Sequence, residues 1–250
     1  MLAINTISYN NRATLHSVVR TMVENTTFPP GTVWNFVLQN CDSEFCDKIV
    51  EICKDKIEIC LIRFANNIGL SKALRFVIEH TKYYKYVLLN EDDFKLMKHL
   101  TPNKDWLLSC LKFMEQKQEV STVFLRHYST EKEKAQYGFS KKLNYLCFKF
   151  ENFNYEEKMK DAKRIEFEGM TFTHLRHYLY SNNPHICRNA DYHKHAYNPF
   201  PVFDNDSKIP GATSNFGYAE ALLMERIRDL TCYYLPLIGH MEDLVPPEMS

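Results

Sequence analysis

The first hundred residues alternate between apolar runs and amphipathic segments, and this alternation limits the possible folds more than any other feature. Leu2 to Ser8 (Leu-Ala-Ile-Asn-Thr-Ile-Ser) reads as a largely buried strand, closed by the polar turn Tyr9-Asn10-Asn11-Arg12. From Ala13 to Glu24, Leu15, Val18, Val19, Met22 and Val23 recur at helical spacing, which predicts a helix with one face on the sheet. Pro29-Pro30-Gly31 breaks the chain. Trp34 to Gln39 is a second strand running into Asn40-Cys41-Asp42-Ser43, and Phe45, Ile49, Ile52 and Cys53 mark a second helix. Ile57 to Phe64 is a third strand, followed by Asn66-Asn67-Ile68-Gly69. Ser71 is the expected N-cap of a third helix carrying Ala73, Leu74, Val77 and Ile78. Tyr86 to Leu89 is a fourth strand, and it leads to three consecutive acids, Glu91, Asp92 and Asp93.

Strand–helix repeated three times and closed by a strand is the βαβ pattern of a parallel sheet. Right-handed crossovers bring the C-terminal ends of such strands to one edge. The turns at Tyr9–Arg12, Asn40–Ser43, Asn66–Gly69 and Glu91–Asp93 therefore converge on one rim, where sheets of this kind bind ligands. Adjacent carboxylates repel, so three acids at a buried strand end call for a cation nearby, unless they form a solvated turn. Carboxylate oxygens are also the ligands of hard divalent metals such as magnesium and manganese. The first turn lacks Gly-x-Gly-x-x-Gly, and no Gly-x-x-x-x-Gly-Lys is present. A nucleotide would instead be held by Asx side chains and backbone groups of the turns, its diphosphate neutralised by a metal on the acids.

Composition excludes several alternatives. Lys plus Arg and Asp plus Glu are equal at 31 each, which argues against a nucleic-acid partner or an anionic membrane surface. Apolar residues make up 45% of 250 residues, enough for one sizeable core, so residues 1–250 are expected to form one domain. None of the eight cysteines forms a Cys-x-x-Cys pair, and most sit in apolar periodic segments, as reduced core residues do. Met1 to Asn5 lacks the basic start of a signal peptide, and no run reaches the roughly 18 apolar residues that span a bilayer. The expectation is a cytoplasmic protein with no integral membrane segment.

Four stretches together carry a family resemblance: Thr-Ile-Ser-Tyr-Asn-Asn-Arg, Gln-Asn-Cys-Asp-Ser, Ala-Asn-Asn-Ile-Gly-Leu-Ser-Lys-Ala-Leu and Leu-Leu-Asn-Glu-Asp-Asp-Phe. In order and spacing they resemble the successive signatures of family 2-type glycosyltransferases with the GT-A fold, over roughly residues 1–97. The resemblance implies an α/β, Rossmann-like, mainly parallel central sheet flanked by helices. Residues 1–125 would bind the nucleotide sugar and 126–250 would form an acceptor-side subregion. It also implies Mn2+ or Mg2+ at the sugar diphosphate. Position by position, Ser8 and Tyr9 would flank the nucleobase, Asn10 would be a further donor-binding residue, and Asp42 would lie near the base or ribose. Arg63, Asn67 and Gly69 would lie near the nucleotide or sugar. Asp93 would be the main metal ligand, with Glu91 or Asp92 nearer the ribose or sugar. The motif aligns as Asn90-x-Asp92 or as Glu91-x-Asp93, so Asp92 is a metal candidate as well.

Further along, a helix is expected over Asn103 to Gln118, a strand over Val120 to Leu125 and another over Glu166 to Thr173, with a polar, mixed-charge stretch between the last two. His174, His177, His185, Asp191, His193 and His195 are dense but show no His-x-x-x-His with a helical Glu, so they read as surface or hydrogen-bonded residues. Asp191 to Tyr197 reads as an exposed loop. In the resembling enzymes a stretch comparable to Tyr180–Arg188 borders the acceptor pocket. Pro210-Gly-Ala-Thr-Ser-Asn-Phe-Gly-Tyr-Ala-Glu220 delivers an acid at a helix start, where the helix dipole stabilises a carboxylate. Glu220 is thus the first candidate for the base that deprotonates the acceptor hydroxyl, and Asp191 the second. Tyr233 to Ile238 reads as a strand delivering His240, which the resemblance makes a third metal ligand.

The expected activity is inverting transfer of a sugar from a nucleotide-sugar donor, UDP-linked by preference, to a glycan, glycoconjugate or other hydroxyl acceptor. The alternatives are a sugar-1-phosphate nucleotidyltransferase, for which the first turn lacks a Gly-rich basic loop, and a non-catalytic glycan-binding relative.

Overall fold

The computed structural model describes residues 1–127, 162–175, 184–198, 223, 226–227 and 230–240. The predicted alternation is present. In chain order the elements are β1 (Leu2–Tyr9), α1 (Thr14–Asn25), β2 (Val33–Gln39), α2 (Ser43–Cys53), β3 (Glu58–Phe64), α3 (Leu70–His80) and β4 (Tyr86–Glu91). A short β5 (Phe94–Leu96), α4 (Trp106–Gln116) and β6 (Val120–His127) follow. Next come β7 (Arg164–Phe167), β8 (Met170–Leu175), β9 (His185–Arg188), α5 (Asn189–His195) and β10 (Thr231–His240).

One ten-stranded sheet has the order β3-β2-β1-β4-β9-β6-β10-β8-β7, with β5 also paired to β10. Strands β3, β2, β1 and β4 are parallel, as the βαβ pattern requires, and β6 and β10 are parallel further along. Between these blocks β9 lies antiparallel to both β4 and β6. Helices cover both faces. On one face, Leu15, Val19 and Met22 of α1, Phe45 and Ile49 of α2, and Trp106, Phe113 and Met114 of α4 share a core with Trp34, Phe36 and Leu88. On the other, Leu74 and Ile78 of α3 pack with Val87, Leu89, Cys187 and Tyr192. Each such large apolar side chain, fully buried, contributes roughly 1.5–3 kcal/mol before entropy is counted. The buried indoles keep hydrogen-bond partners: Trp34 Nε1 donates to Thr6 Oγ1 and Trp106 Nε1 to Thr26 Oγ1, both at 3.0 Å. Among the described residues no helix is long and apolar enough to cross a membrane.

The structure corrects four local expectations. Ser71 lies inside α3 and is buried; the N-cap is Gly69, at φ 85° and ψ 154°, a conformation open to glycine. Asp191 to Tyr197 is not an exposed loop, because α5 covers most of it and buries Tyr192 and Tyr197. The end of the Tyr180–Arg188 stretch does not follow the sheet but is its central strand β9, every residue of it buried. Residues 166–173 are not one strand but part of the β7–β8 hairpin. Its two-residue loop is Glu168-Gly169, with φ 46° and 77°. Two consecutive positive φ values are the signature of a type I′ turn, which matches the twist of the strands it joins. Glu168 is a poor residue for that conformation, and its carboxylate is tied to α4 through Ser109 Oγ and Lys112 Nζ.

No atom lies within 4 Å of a Cβ added at Gly169, so Gly169→Ala isolates the backbone term. That substitution should cost about 1 kcal/mol, which a thermal melt would read as a Tm lower by about 2–4 °C for a chain of this size.

Candidate active site

The rim is built by residues that end strands. Three asparagines, Asn10, Asn11 and Asn40, take left-handed φ values of 57°, 49° and 51° directly after β1 and β2. Asparagine tolerates this region better than other side-chain-bearing residues, so the chain can reverse sharply and keep polar groups at the sheet edge. The turns are then stitched together. Asn40 Nδ2 donates to Asn10 Oδ1 at 2.5 Å, and Asn11 and Asp42 bond reciprocally, Asn11 Nδ2 to Asp42 Oδ2 at 2.6 Å and Asp42 N to Asn11 Oδ1 at 3.0 Å. The other oxygen of Asp42 accepts from Phe45 N at 2.7 Å, so the same carboxylate caps α2. Arg63, at the end of β3, donates to Cys41 O and Ser43 Oγ. In the third turn Asn67 Oδ1 accepts from Gly69 N, and Gln39 Oε1 accepts from Ile68 N. An open cleft of about 520 Å³ lies between these turns, lined by Asn11, Asn40, Cys41, Asp42, Arg63, Phe64 and Ala65.

The acids stand beside the cleft. β4 runs through Asn90 and Glu91, and Asp92 and Asp93 form the turn into β5. Glu91 pairs with Ile7 and so shares the α3 side of the sheet with it. Asp92 is 5% exposed and accepts from Ser8 Oγ at 2.6 Å and from Arg12 Nη1 at 2.7 Å. The same Arg12 nitrogen lies 3.3 Å from Asp93 Oδ2. Arg12 supplies the cation that three adjacent acids demand, and it was not singled out from the sequence, where it reads as one residue of a polar turn. Ser8 is buried, and its hydroxyl orients Asp92. Tyr9 is exposed, and Asn10 holds the neighbouring turn through Asn40.

The register of β10 sets His240 opposite Phe94, the residue after Asp93. Asp191 is at the other end of the molecule. β9 is antiparallel to β4, and Arg188 pairs with Tyr86, where β4 starts. Five residues of strand then separate that edge from Glu91, about 17 Å at about 3.3 Å per residue. Asp191 also accepts from Ser121 Oγ at 2.7 Å, at the start of β6, on the sheet edge away from the three acids. Glu220 lies outside the described residues.

Burial raises the Asp92 carboxyl above its ordinary value of 3.8, against the hydroxyl of Ser8 and the charge of Arg12, which lower it. Asp92 in turn raises the Arg12 guanidinium. Ionised Asp92 is therefore less favourable in the folded chain than in water. Its contribution to stability improves as pH falls through the raised value and levels off below the ordinary one. Asp92→Asn, which keeps the shape and removes the charge, should raise Tm at neutral pH, and the difference should shrink on acidification through that window. Melts over a pH series check this; a lower Tm for the variant at neutral pH would mean that the Arg12 pair outweighs burial.

Among the described residues no three His, Cys, Asp or Glu side chains form a complete metal cage. What is present is two adjacent carboxylates and, beside them in sequence, the buried Asn90, whose Oδ1 has no hydrogen-bond partner. Magnesium-type cations bind through one or two carboxylates plus substrate phosphates and not through all-protein cages, so this oxygen set fits a cation that arrives with a diphosphate.

The comparisons agree with the geometry. Residues 4–182 match the model of glycosyl transferase family 2. No curated protein sequence matches the chain. Among solved structures, S. aureus TarS 1–349 in complex with UDP superposes with a TM-score of 0.58 at 13% identity, over 95% of this chain and 59% of that one. GalNAc-T7 with UDP, GalNAc and Mn2+ gives 0.56 at 8% identity, over 96% and 43%. The mannosyltransferase PcManGT from Pyrobaculum calidifontis, in complex with GDP-Man and Mn2+, gives 0.51 at 10% identity, over 80% and 47%. The chain thus spans about three fifths or less of these structures' lengths. A match over residues 4–182, with the GT-A sheet and its convergent turns, shows that the chain belongs to glycosyl transferase family 2.

Proposed function

We propose that the chain transfers a sugar from a UDP-linked donor to a hydroxyl of a glycan or glycoconjugate, with inversion and with a divalent metal. The observation that carries this reading is the Tyr9–Arg12 turn. It joins the cleft to the acids, Asn11 bonding Asp42 at the cleft and Arg12 bonding Asp92 and Asp93 beside it. A nucleoside in the cleft would have its diphosphate directed at the carboxylate pair. The resemblance and the UDP in the TarS and GalNAc-T7 complexes support a UDP-linked donor, although the PcManGT complex holds GDP-Man.

In this reading residues 1–125 hold the donor and 126–250 the acceptor. Asn10, Asp42 and Arg63 shape the nucleoside end, and Asn67 and Gly69 face the nucleotide or sugar. Glu91 lies toward the ribose or sugar. Asp93, with Asp92 and His240, would hold Mn2+ or Mg2+. When bound, such a cation neutralises charge on the departing diphosphate. Ser8 fixes the Asp92 carboxylate, so the pair is preorganised. Glu220 takes the proton of the acceptor hydroxyl while that oxygen bonds to the anomeric carbon and the bond from that carbon to the diphosphate oxygen breaks. A single displacement of this kind inverts the anomeric centre.

A thermal-shift screen of nucleotide sugars with and without manganese tests the reading. At a hundredfold excess over Kd a bound donor stabilises by about 2.7 kcal/mol. The expected result is a Tm rise with one UDP-sugar that requires metal. Equal shifts without metal would overturn the metal dependence, and no shift with any donor would overturn the transferase reading.

A further inference from the structure

The acid pair already has an occupant. Arg12 Nη1 sits 2.7 Å from Asp92 Oδ1 and 3.3 Å from Asp93 Oδ2, so one nitrogen bridges both carboxylates. A divalent cation held by those same two oxygens would have to take the place of the guanidinium nitrogen, because the two are of like charge and would compete for the same lone pairs. The partners also differ in freedom: the Asp92 side chain is 7% exposed and held by Ser8, whereas that of Arg12 is 52% exposed. Arg12 can leave by rotating into solvent, and Asp92 cannot follow.

Resting on the metal-dependent reading above, we propose that Arg12 is a built-in competitor of the divalent cation, a gate that couples metal binding to nucleotide binding. In the nucleotide-free chain the guanidinium holds the carboxylates and metal binds weakly. When a diphosphate arrives with the cation, Arg12 exchanges its two carboxylates for phosphate oxygens, which its planar fork of donors suits. Its place in the Tyr9–Arg12 turn, one residue from the cleft-lining Asn11, puts it between the two ligands. Each ligand then lowers the cost of binding the other, which is positive coupling between the sites.

The experiment is a titration of free Mn2+, followed by its electron paramagnetic resonance signal, with the full chain, Arg12→Met and Arg12→Lys, each with and without UDP. Without UDP, Arg12→Met should bind Mn2+ about three- to tenfold more tightly than the unaltered chain, since a partly exposed ion pair no longer has to break. Arg12→Lys, which keeps the charge, should lie closer to the unaltered chain. Saturating UDP should abolish or reverse the advantage of Arg12→Met. Equal Mn2+ affinities for the unaltered chain and Arg12→Met without UDP would overturn the gate and leave the metal reading standing. No Mn2+ binding by any of the three, even with UDP, would overturn both. A second measurement needs no variant. Phenylglyoxal modification of the unaltered chain, mapped by mass spectrometry, should increase at Arg12 when Mn2+ alone is added, and unchanged modification at saturating Mn2+ would overturn the gate.

Discussion

Asp93→Ala is expected to lower sugar transfer by at least about a hundredfold, the scale lost when a group that stabilises transition-state charge is removed. It should lose metal-dependent nucleotide binding at the same time. Losing its ion pair with Arg12 should by itself cost little stability. The Asp93 side chain is only 19% exposed, but its ion pair with Arg12 is the longer of the two, and Arg12 keeps its 2.7 Å contact with Asp92 in the variant. An ion pair of this kind contributes about 1 kcal/mol or less. The prediction is thus that activity and manganese-dependent UDP binding are lost together in a chain that still folds. Measuring transfer, a UDP titration with and without Mn2+, and a melt on one preparation checks it. Full activity in Asp93→Ala would remove the acid pair from the reaction. Intact sugar binding with no turnover in either form would instead favour a non-catalytic glycan binder.

The parallel block was legible because period carries it. Leu15, Val18, Val19 and Met22 are spaced for a helix face, and Trp34 to Gln39 is one unbroken buried run, so the four strands and their rim could be read directly. Of the later strands, β6 and β10 fall on Val120 to Leu125 and Tyr233 to Ile238, which also read as strands, but β9 was not legible. His-Ile-Cys-Arg of β9 has a charge at one end and a histidine at the other, and four residues give no period; only the register with β4 and β6 makes it central. The β7–β8 hairpin escaped for a local reason. Its turn has Glu168 where asparagine or aspartate is the usual signal, and the compensating contacts come from Ser109 and Lys112 on another helix. At the site the acids were visible as a run. Their counter-ion was not, since Arg12 and Asp92 are 80 residues apart and nothing in the spacing links them. The place of Asp191 was hidden for the complementary reason: it reads as a lone acid near histidines, and only strand direction puts it on the far edge.

The same seam that hid from sequence reading should be the most sensitive point of the fold. Arg188 closes β9 and is 8% exposed. Its Nη2 donates to Met114 O at 2.6 Å and Val120 O at 3.4 Å, and its Nη1 to Tyr86 Oη at 3.1 Å. Nε faces the Asp191 carboxylate at 3.7 Å. One guanidinium thereby joins β4, the end of α4, the start of β6 and α5. Arg188→Ala leaves two buried carbonyls without their charged donor, and at about 1.5–3 kcal/mol for each hydrogen bond to a charged group the loss is about 3–5 kcal/mol. For a chain of this size that is a fall in Tm on the order of 10 °C. Arg188→Lys should recover only part of it, because one ammonium cannot reproduce the fork that serves Met114 and Tyr86 together. Melts of the two variants beside the unaltered chain decide the matter: a fall of under about 2 °C for Arg188→Ala would mean that water takes over these contacts and that β9 is held by its ladder and its core side chains alone.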